Sequence, residues 1–149
     1  MQIVRELVAP CEPSALFGHG SGLDSYPAWM GLVSEVRPAY ERPEAVGVPA
    51  WYVELRAKVG PLTRSKLLRM ERTEHVVDER VVFTRHEVDG RDHSPWILGV
   101  DLVPVDDGTQ LTMTLEYGGR LWSGLVLQRV LDDYVEQGSQ ALLELVSPS

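Results

Sequence analysis

Between Ala50 and Tyr117 the chain holds five stretches of β character, separated by breaks of only a few residues. Connections that short cannot carry a parallel crossover, which needs a dozen residues or more, so these strands must run up and down as an antiparallel meander. The clearest stretches are one-faced. Trp51, Val53, Leu55, Ala57 and Val59 alternate with Tyr52, Glu54, Arg56 and Lys58, and Leu111, Met113, Leu115 and Tyr117 alternate with Gln110, Thr112, Thr114 and Glu116. Period two with one apolar set marks a strand with one face buried. A single long helical segment follows, from about Arg120 to Val146, with an apolar stripe of Leu127, Val130, Leu131, Tyr134, Ala141, Leu142 and Leu145. Acids, Arg and Gln occupy much of its other face. One-faced strands followed by one amphipathic helix predict a sheet wrapped around that helix, enclosing either packed side chains or a cavity.

The N-terminal third supplies the remaining elements. Gln2–Ala9 reads as a strand ended by Pro10, and Glu12–Phe17 as a short helix with Pro13 tolerated in its first turn. Gly18–Gly22 reads as a flexible break. Asp24 or Ser25 can cap a second short helical turn that has Pro27 early in it. Met30–Val36 resumes strand character, and Arg37–Pro49, with three prolines, reads as a loop. Within the meander, Leu62–Thr73 has mixed parity, which predicts a bulge. Arg80–Val88 is a further strand, Asp89–Gly90 a hairpin turn, and Trp96, Leu98, Val100 and Leu102 one face of the next strand. Neither linkers nor repeats interrupt the chain, so residues 1–149 are expected to form one domain.

Composition narrows the partners. A formal net charge of −8 and a pI near 4.9 repel nucleic-acid phosphate and anionic lipid surfaces, so neither is an expected partner. The basic residues Arg56, Lys58, Arg64, Lys66, Arg69 and Arg72 alternate along strands and read as the solvated face of a sheet. Cys11 is the only cysteine, which rules out an intrachain disulfide, fits a reducing cytoplasm and, without a nearby motif, reads as inert. No apolar run approaches the ~18 residues of a membrane span. Arg5 and Glu6 interrupt the first apolar stretch, and no signal-peptide pattern is seen. The expectation is a cytoplasmic protein.

Conventional catalytic and metal motifs fail on spacing. Gly18-His19-Gly20-Ser21-Gly22 is not a nucleophile elbow, because that turn needs Gly two residues before Ser and His19 stands there. None of His19, His75, His86 and His93 pairs with another at helical spacing, so no metal is expected; a phosphate-gripping loop is also missing, and no cofactor is expected. No catalytic residue can be named.

A family resemblance does emerge. The early strand ending at Ala9-Pro10, the short helix after it, the segment Asp24-Ser25-Tyr26-Pro27-Ala28-Trp29, the Asp107-Gly108-Thr109 turn before a Thr-rich strand, and the long final helix together resemble the START-like, or SRPBCC, superfamily. The polyketide cyclase/dehydrase and lipid-transport branch is the nearest part of it. The resemblance covers nearly the whole chain, through structural rather than catalytic motifs. It implies an α+β helix-grip fold: a curved antiparallel sheet of about seven strands around the C-terminal helix, two short helices after the first strand, and an internal cavity. Members bind lipids, sterols, polyketides, quinones or plant hormones, and a minority are aromatase/cyclases.

On that scaffold the residues expected to face a ligand are Trp51, Leu55, Met70, Phe83, Trp96, Leu98, Met113, Leu115 and Tyr117 from the strands, with Leu127, Leu131 and Tyr134 from the helix. Arg85 has the parity of Val81 and Phe83, but periodicity leaves both faces open to it. Arg85, Tyr117 and Tyr134 are the polar groups that would orient a ligand. Gly138 falls on the helix's apolar stripe, where it signals close packing, a cavity or a weak point. Leu121, Trp122 and Leu125 sit off the stripe, suited to packing under a loop or to a homodimer contact. The function expected is binding of a small hydrophobic or aromatic molecule, without integral membrane association. The alternatives are a polyketide aromatase/cyclase-type enzyme and an interaction module with a filled core.

Overall fold

Alternation along the strands is realised as a single seven-stranded sheet. A computed structural model describes residues 1–41, 47–119 and 124–147. The strands are β1 (Gln2–Ala9), β2 (Val33–Pro38), β3 (Ala50–Val59), β4 (Leu62–Val76), β5 (Arg80–Arg85), β6 (Trp96–Val105) and β7 (Gly108–Tyr117). They lie in the order β1-β7-β6-β5-β4-β3-β2, and every pairing is antiparallel. Helix α1 (Pro13–Gly20) and a 3₁₀ helix (Leu23–Ala28) follow β1, and α2 (Leu125–Val146) follows β7.

Two sets of contacts show why the sheet curves. On one side Arg5 of β1 donates to Asp132 Oδ2 of α2 at 2.6 Å, and its Nε lies 3.0 Å from Glu136 Oε2. On the other, the Lys58 N–H of β3 donates to Tyr134 Oη of α2 at 3.1 Å. Five inter-strand steps separate β1 from β3, about 24 Å along a flat sheet, against a helix diameter of about 11 Å. One turn of helix can touch both strands only if the sheet bends around it.

Several sequence expectations are corrected. Helix α1 runs through Gly18–Gly20, where a break was expected. Its C-terminal carbonyls, which lack partners within a helix, are taken up by Tyr26 Oη donating to Gly20 O at 2.9 Å and Trp29 Nε1 donating to His19 O at 3.3 Å. Strand β2 starts at Val33 rather than Met30, because the Val33 N–H closes a turn onto Met30 O. Strand β4 extends to Val76, with its register shift between Arg72 and Glu74. Strand β5 stops at Arg85, not Val88, and residues 86–95 replace the tight hairpin expected at Asp89–Gly90. The Asp89 carboxylate accepts the Arg91 N–H at 3.0 Å and pairs with His93 at 2.9 Å, which folds that connection onto itself.

The described part of the last helix begins at Leu125; the expected start at Arg120, with Leu121 and Trp122, lies outside the described residues. Its buried stripe is Leu127, Leu131, Val135, Gly138, Ser139 and Leu142, so Val135 and Ser139 join it while Leu145 is exposed. Leu125 is exposed too.

The basic residues are also redistributed. Lys66 and Arg72 have the parity of Leu68 and Met70, hence the inner face. Arg69, on the outer face, is only 1% exposed. It donates to Glu71 Oε2 at 2.6 Å, to Glu41 Oε2 at 3.3 Å and to His86 O at 3.0 Å. Arg56 and Lys58 remain exposed on the outer face as expected, whereas the burial of Arg69 is offset by these charged partners.

Candidate functional site

The inner face of the sheet, the 3₁₀ helix with the turn after it, and α2 enclose a cavity of about 60 Å³. Its wall comes from Val53 and Leu55 of β3, Leu68 and Met70 of β4, Trp96 and Leu98 of β6, and Met113 and Leu115 of β7. Val33 of β2 and Val135 of α2 add to it. Leu23, Tyr26, Met30 and Leu32 close the remaining side. No polar atom of the described residues faces the void. The Tyr26 hydroxyl is turned away to Gly20 O, and burial pushes its pKa far up, so it stays neutral. Arg72 fastens the cover from the sheet, donating to Ser21 O at 2.7 Å.

Six of the residues expected at a ligand lie on this wall: Leu55, Met70, Trp96, Leu98, Met113 and Leu115. The others do not. Phe83 is fully buried among aromatic rings, edge-on to Tyr26 at 5.9 Å and to Trp51 at 5.7 Å between centroids. Trp51 shares that cluster and stops short of the void. Leu127 and Leu131 are buried in the helix–sheet core, and from α2 only Val135 lines the void. Tyr134 is spent on the β3 backbone. Tyr117 is 1% exposed, its ring lies 5.4 Å from that of Trp96, and its hydroxyl has no hydrogen-bond partner among the described residues. Burial, with Asp132 nearby, raises its pKa, so it too stays neutral.

Arg85 is settled by the burial of Val81 and Phe83, whose inner face it shares at the end of β5. Its Nε donates to Glu87 Oε2 at 2.7 Å and its Nη1 to Ser94 O and Oγ at 3.2 and 3.3 Å. It sits beside Met70 in register, at the edge of the apolar wall rather than in it.

The wall residues missed by sequence divide into two kinds. Val53 and Leu68 were legible, since each shares parity with a neighbour that was named, as was Val135 by its helical spacing from Leu131 and Val33 by its place in a segment read as strand. Leu23, Tyr26, Met30 and Leu32 carry no periodic signal, because short helices and turns have none. Gly138 is a close-packing position: a Cβ there would lie 2.8 Å from both Met30 Sδ and Met30 Cε. The notch in α2 seats a side chain that lines the cavity. Among the described residues no three His, Cys, Asp or Glu side chains converge as metal ligands. No described helix is long and apolar enough to cross a membrane. Burial raises the Cys11 thiol pKa, which disfavours its thiolate.

Solved structures match this architecture over almost its full length. A Thermus thermophilus protein superposes with a TM-score of 0.73 at 17% identity, covering 98% of this chain and 97% of that one. A START superfamily protein from Mycobacterium smegmatis gives 0.70 at 14% identity, covering 97% and 96%. The chain has a START-like, helix-grip fold. The ZhuI aromatase/cyclase of a Streptomyces species gives 0.62 at 14% identity, covering 98% and 90%. No protein-family model matches the sequence, and no curated protein matches it. At these identities the likeness concerns the fold, which hosts more than one function.

Proposed function

We propose that this protein binds a small hydrophobic or aromatic molecule, of lipid, polyketide or quinone-like character, between sheet and C-terminal helix, without transforming it. The observation that carries this reading is the wall itself: a space bounded by aliphatic, aromatic and thioether groups, with no polar atom of the described residues turned toward it. Filling it gains about 25 cal/mol for each Å² of apolar surface removed from water. At about 60 Å³ the void is a closed state, since small-molecule pockets typically span about 300–1,000 Å³. Binding therefore selects an expanded state. The cover is the part suited to yield: Met30 is unbranched and sits against Gly138, where backbone rather than side chain faces it.

Native mass spectrometry of freshly purified protein, followed by solvent extraction, tests for a retained small molecule. Titration with a neutral naphthylamine fluorophore tests the site, with Met70→Trp as the blocked variant. Saturable binding that Met70→Trp abolishes is the expected result. Binding that the variant leaves unchanged, or no binding at all, would sink the reading.

A second reading, an aromatase/cyclase-type enzyme, draws support from the likeness to ZhuI. Against it, Arg85 is engaged by Glu87 and Ser94, Tyr134 is engaged by Lys58, and no acid–base pair lies on the wall. Turnover of a polyketide mimic that vanishes in Arg85→Ala would favour it.

A further inference from the structure

At one end of the cavity the sheet changes character. Strand β5 ends at Arg85, while β4 continues past it through Lys66, so the inner face there is bordered by residues 86–95 instead of a paired strand. Lys66 pairs in register with Leu55 and shares an inner face with Leu68 and Met70, all three of them wall residues. Its ammonium nevertheless forms no hydrogen bond or ion pair among the described residues.

The surroundings converge on a point. Gly119 adopts φ +116°, and a methyl group placed on it would lie 3.0 Å from Ser94 Oγ and 3.8 Å from Lys66 Nζ. Arg85 Nη1 reaches the same Ser94 Oγ at 3.3 Å. One ammonium, one guanidinium and one hydroxyl thus gather beside a stretch of backbone that carries no side chain and lies too close to Ser94 to admit one. The carboxylate facing the two cations is Glu87, which is already shared between Arg85 Nε and the Arg69 N–H. Among the described residues two cations against one carboxylate leave an excess positive charge, in a chain whose net charge is −8. Burial and the Arg85 charge lower the Lys66 pKa, and the Glu87 charge offsets them only in part. Trp96 borders both spaces: it lines the apolar void and also an outer polar pocket of about 350 Å³ shared by Arg85, Glu87 and Ser94, while Lys66 lies off both linings. Arg91 and Asp92, on that outer pocket, offset one another.

We propose that the ligand is amphipathic and anionic, with its apolar tail in the cavity and its charged head seated on Lys66, Arg85 and Ser94. This rests on the ligand-binding reading above and assigns the chemical class that reading leaves open. Lys66 supplies the uncompensated charge. Arg85, held rigid by Glu87, offers its Nη1 edge in a fixed direction. Neither group is a catalytic residue, since nothing in the arrangement transfers a proton or a bond.

The test compares octanoate, octyl phosphate and octanol, three probes with one tail and different heads, by isothermal titration calorimetry on the full chain. The wild type is expected to bind one of the anions at least about tenfold tighter than octanol, the scale of a hydrogen bond to a charged group. Whichever anion binds better identifies the head. In Lys66→Met, which keeps length and loses charge, that preference collapses while the octanol affinity holds; Lys66→Arg restores it. Equal affinity of the wild type for all three probes overturns the headgroup site and leaves the cavity reading standing. A preference that survives in Lys66→Met overturns it as well. Absence of binding by every probe removes the cavity reading and this proposal with it.

Discussion

Gly138 is where one residue reports on the packing of two elements. Glycine inside a helix costs about 1 kcal/mol relative to alanine, so its presence asks for a compensating contact. That contact is Met30, whose Sδ and Cε would both stand 2.8 Å from an added Cβ. The sequence reveals that Gly138 is unusual, because it interrupts an apolar stripe. It does not reveal Met30, which comes from a turn more than a hundred residues away and has no periodicity of its own. Gly138→Ala should gain helix propensity and lose it again by driving the Met30 thioether toward the void, for a net destabilisation below about 1 kcal/mol. In a Met30→Ala background the same substitution should instead stabilise. Urea denaturation of the four proteins in the cycle measures the coupling, expected to exceed about 0.5 kcal/mol. Additive effects would mean that the Gly138 notch does not govern Met30.

At the scale of elements, period-two alternation read most of the strands correctly, because sidedness of a half-buried sheet is written into every second residue. Boundaries were read less well. The end of α1 and the path of residues 86–95 are set by hydrogen bonds from side chains, Tyr26 and Trp29 in one case and Asp89 in the other, and the start of β2 by a backbone turn from Val33 to Met30. Tyr134 shows the same limit. Its apolar ring belongs to the helix stripe, but its hydroxyl finds the Lys58 N–H across the β3 edge, and the side chain serves as a grip instead of a cavity wall. Removing that hydroxyl leaves the N–H beside water, since Lys58 is exposed. Tyr134→Phe should therefore cost only about 0.5–1 kcal/mol in a urea melt. It should leave the affinity for a hydrophobic probe unchanged. A tenfold loss of affinity in Tyr134→Phe would return that residue to the site.

For the whole molecule, the sheet must curve because Arg5 and Lys58 reach the same turn of α2 from opposite sides, and curvature creates an inner volume that side chains must fill or leave empty. The sequence could foresee the curvature from the order of elements, but not how nearly the volume would be filled. That depends on side-chain volumes added across every element, and the answer is a remainder of about 60 Å³. The remainder predicts opposite effects on stability and binding. Val135 is the residue of α2 on the cavity wall, and Val135→Leu adds one methylene to a space larger than a methylene. In the ligand-free protein that group moves from water into an apolar void without displacing a neighbour, a gain of about 0.8 kcal/mol. The same atom occupies room a ligand needs, so affinity for a neutral hydrophobic fluorophore should fall. Thermal or urea unfolding of the free protein reads the first effect and fluorescence titration the second. If the variant is destabilised and binds as tightly as the wild type, the leucine has met a packed wall, and the ligand site must be sought elsewhere on the fold.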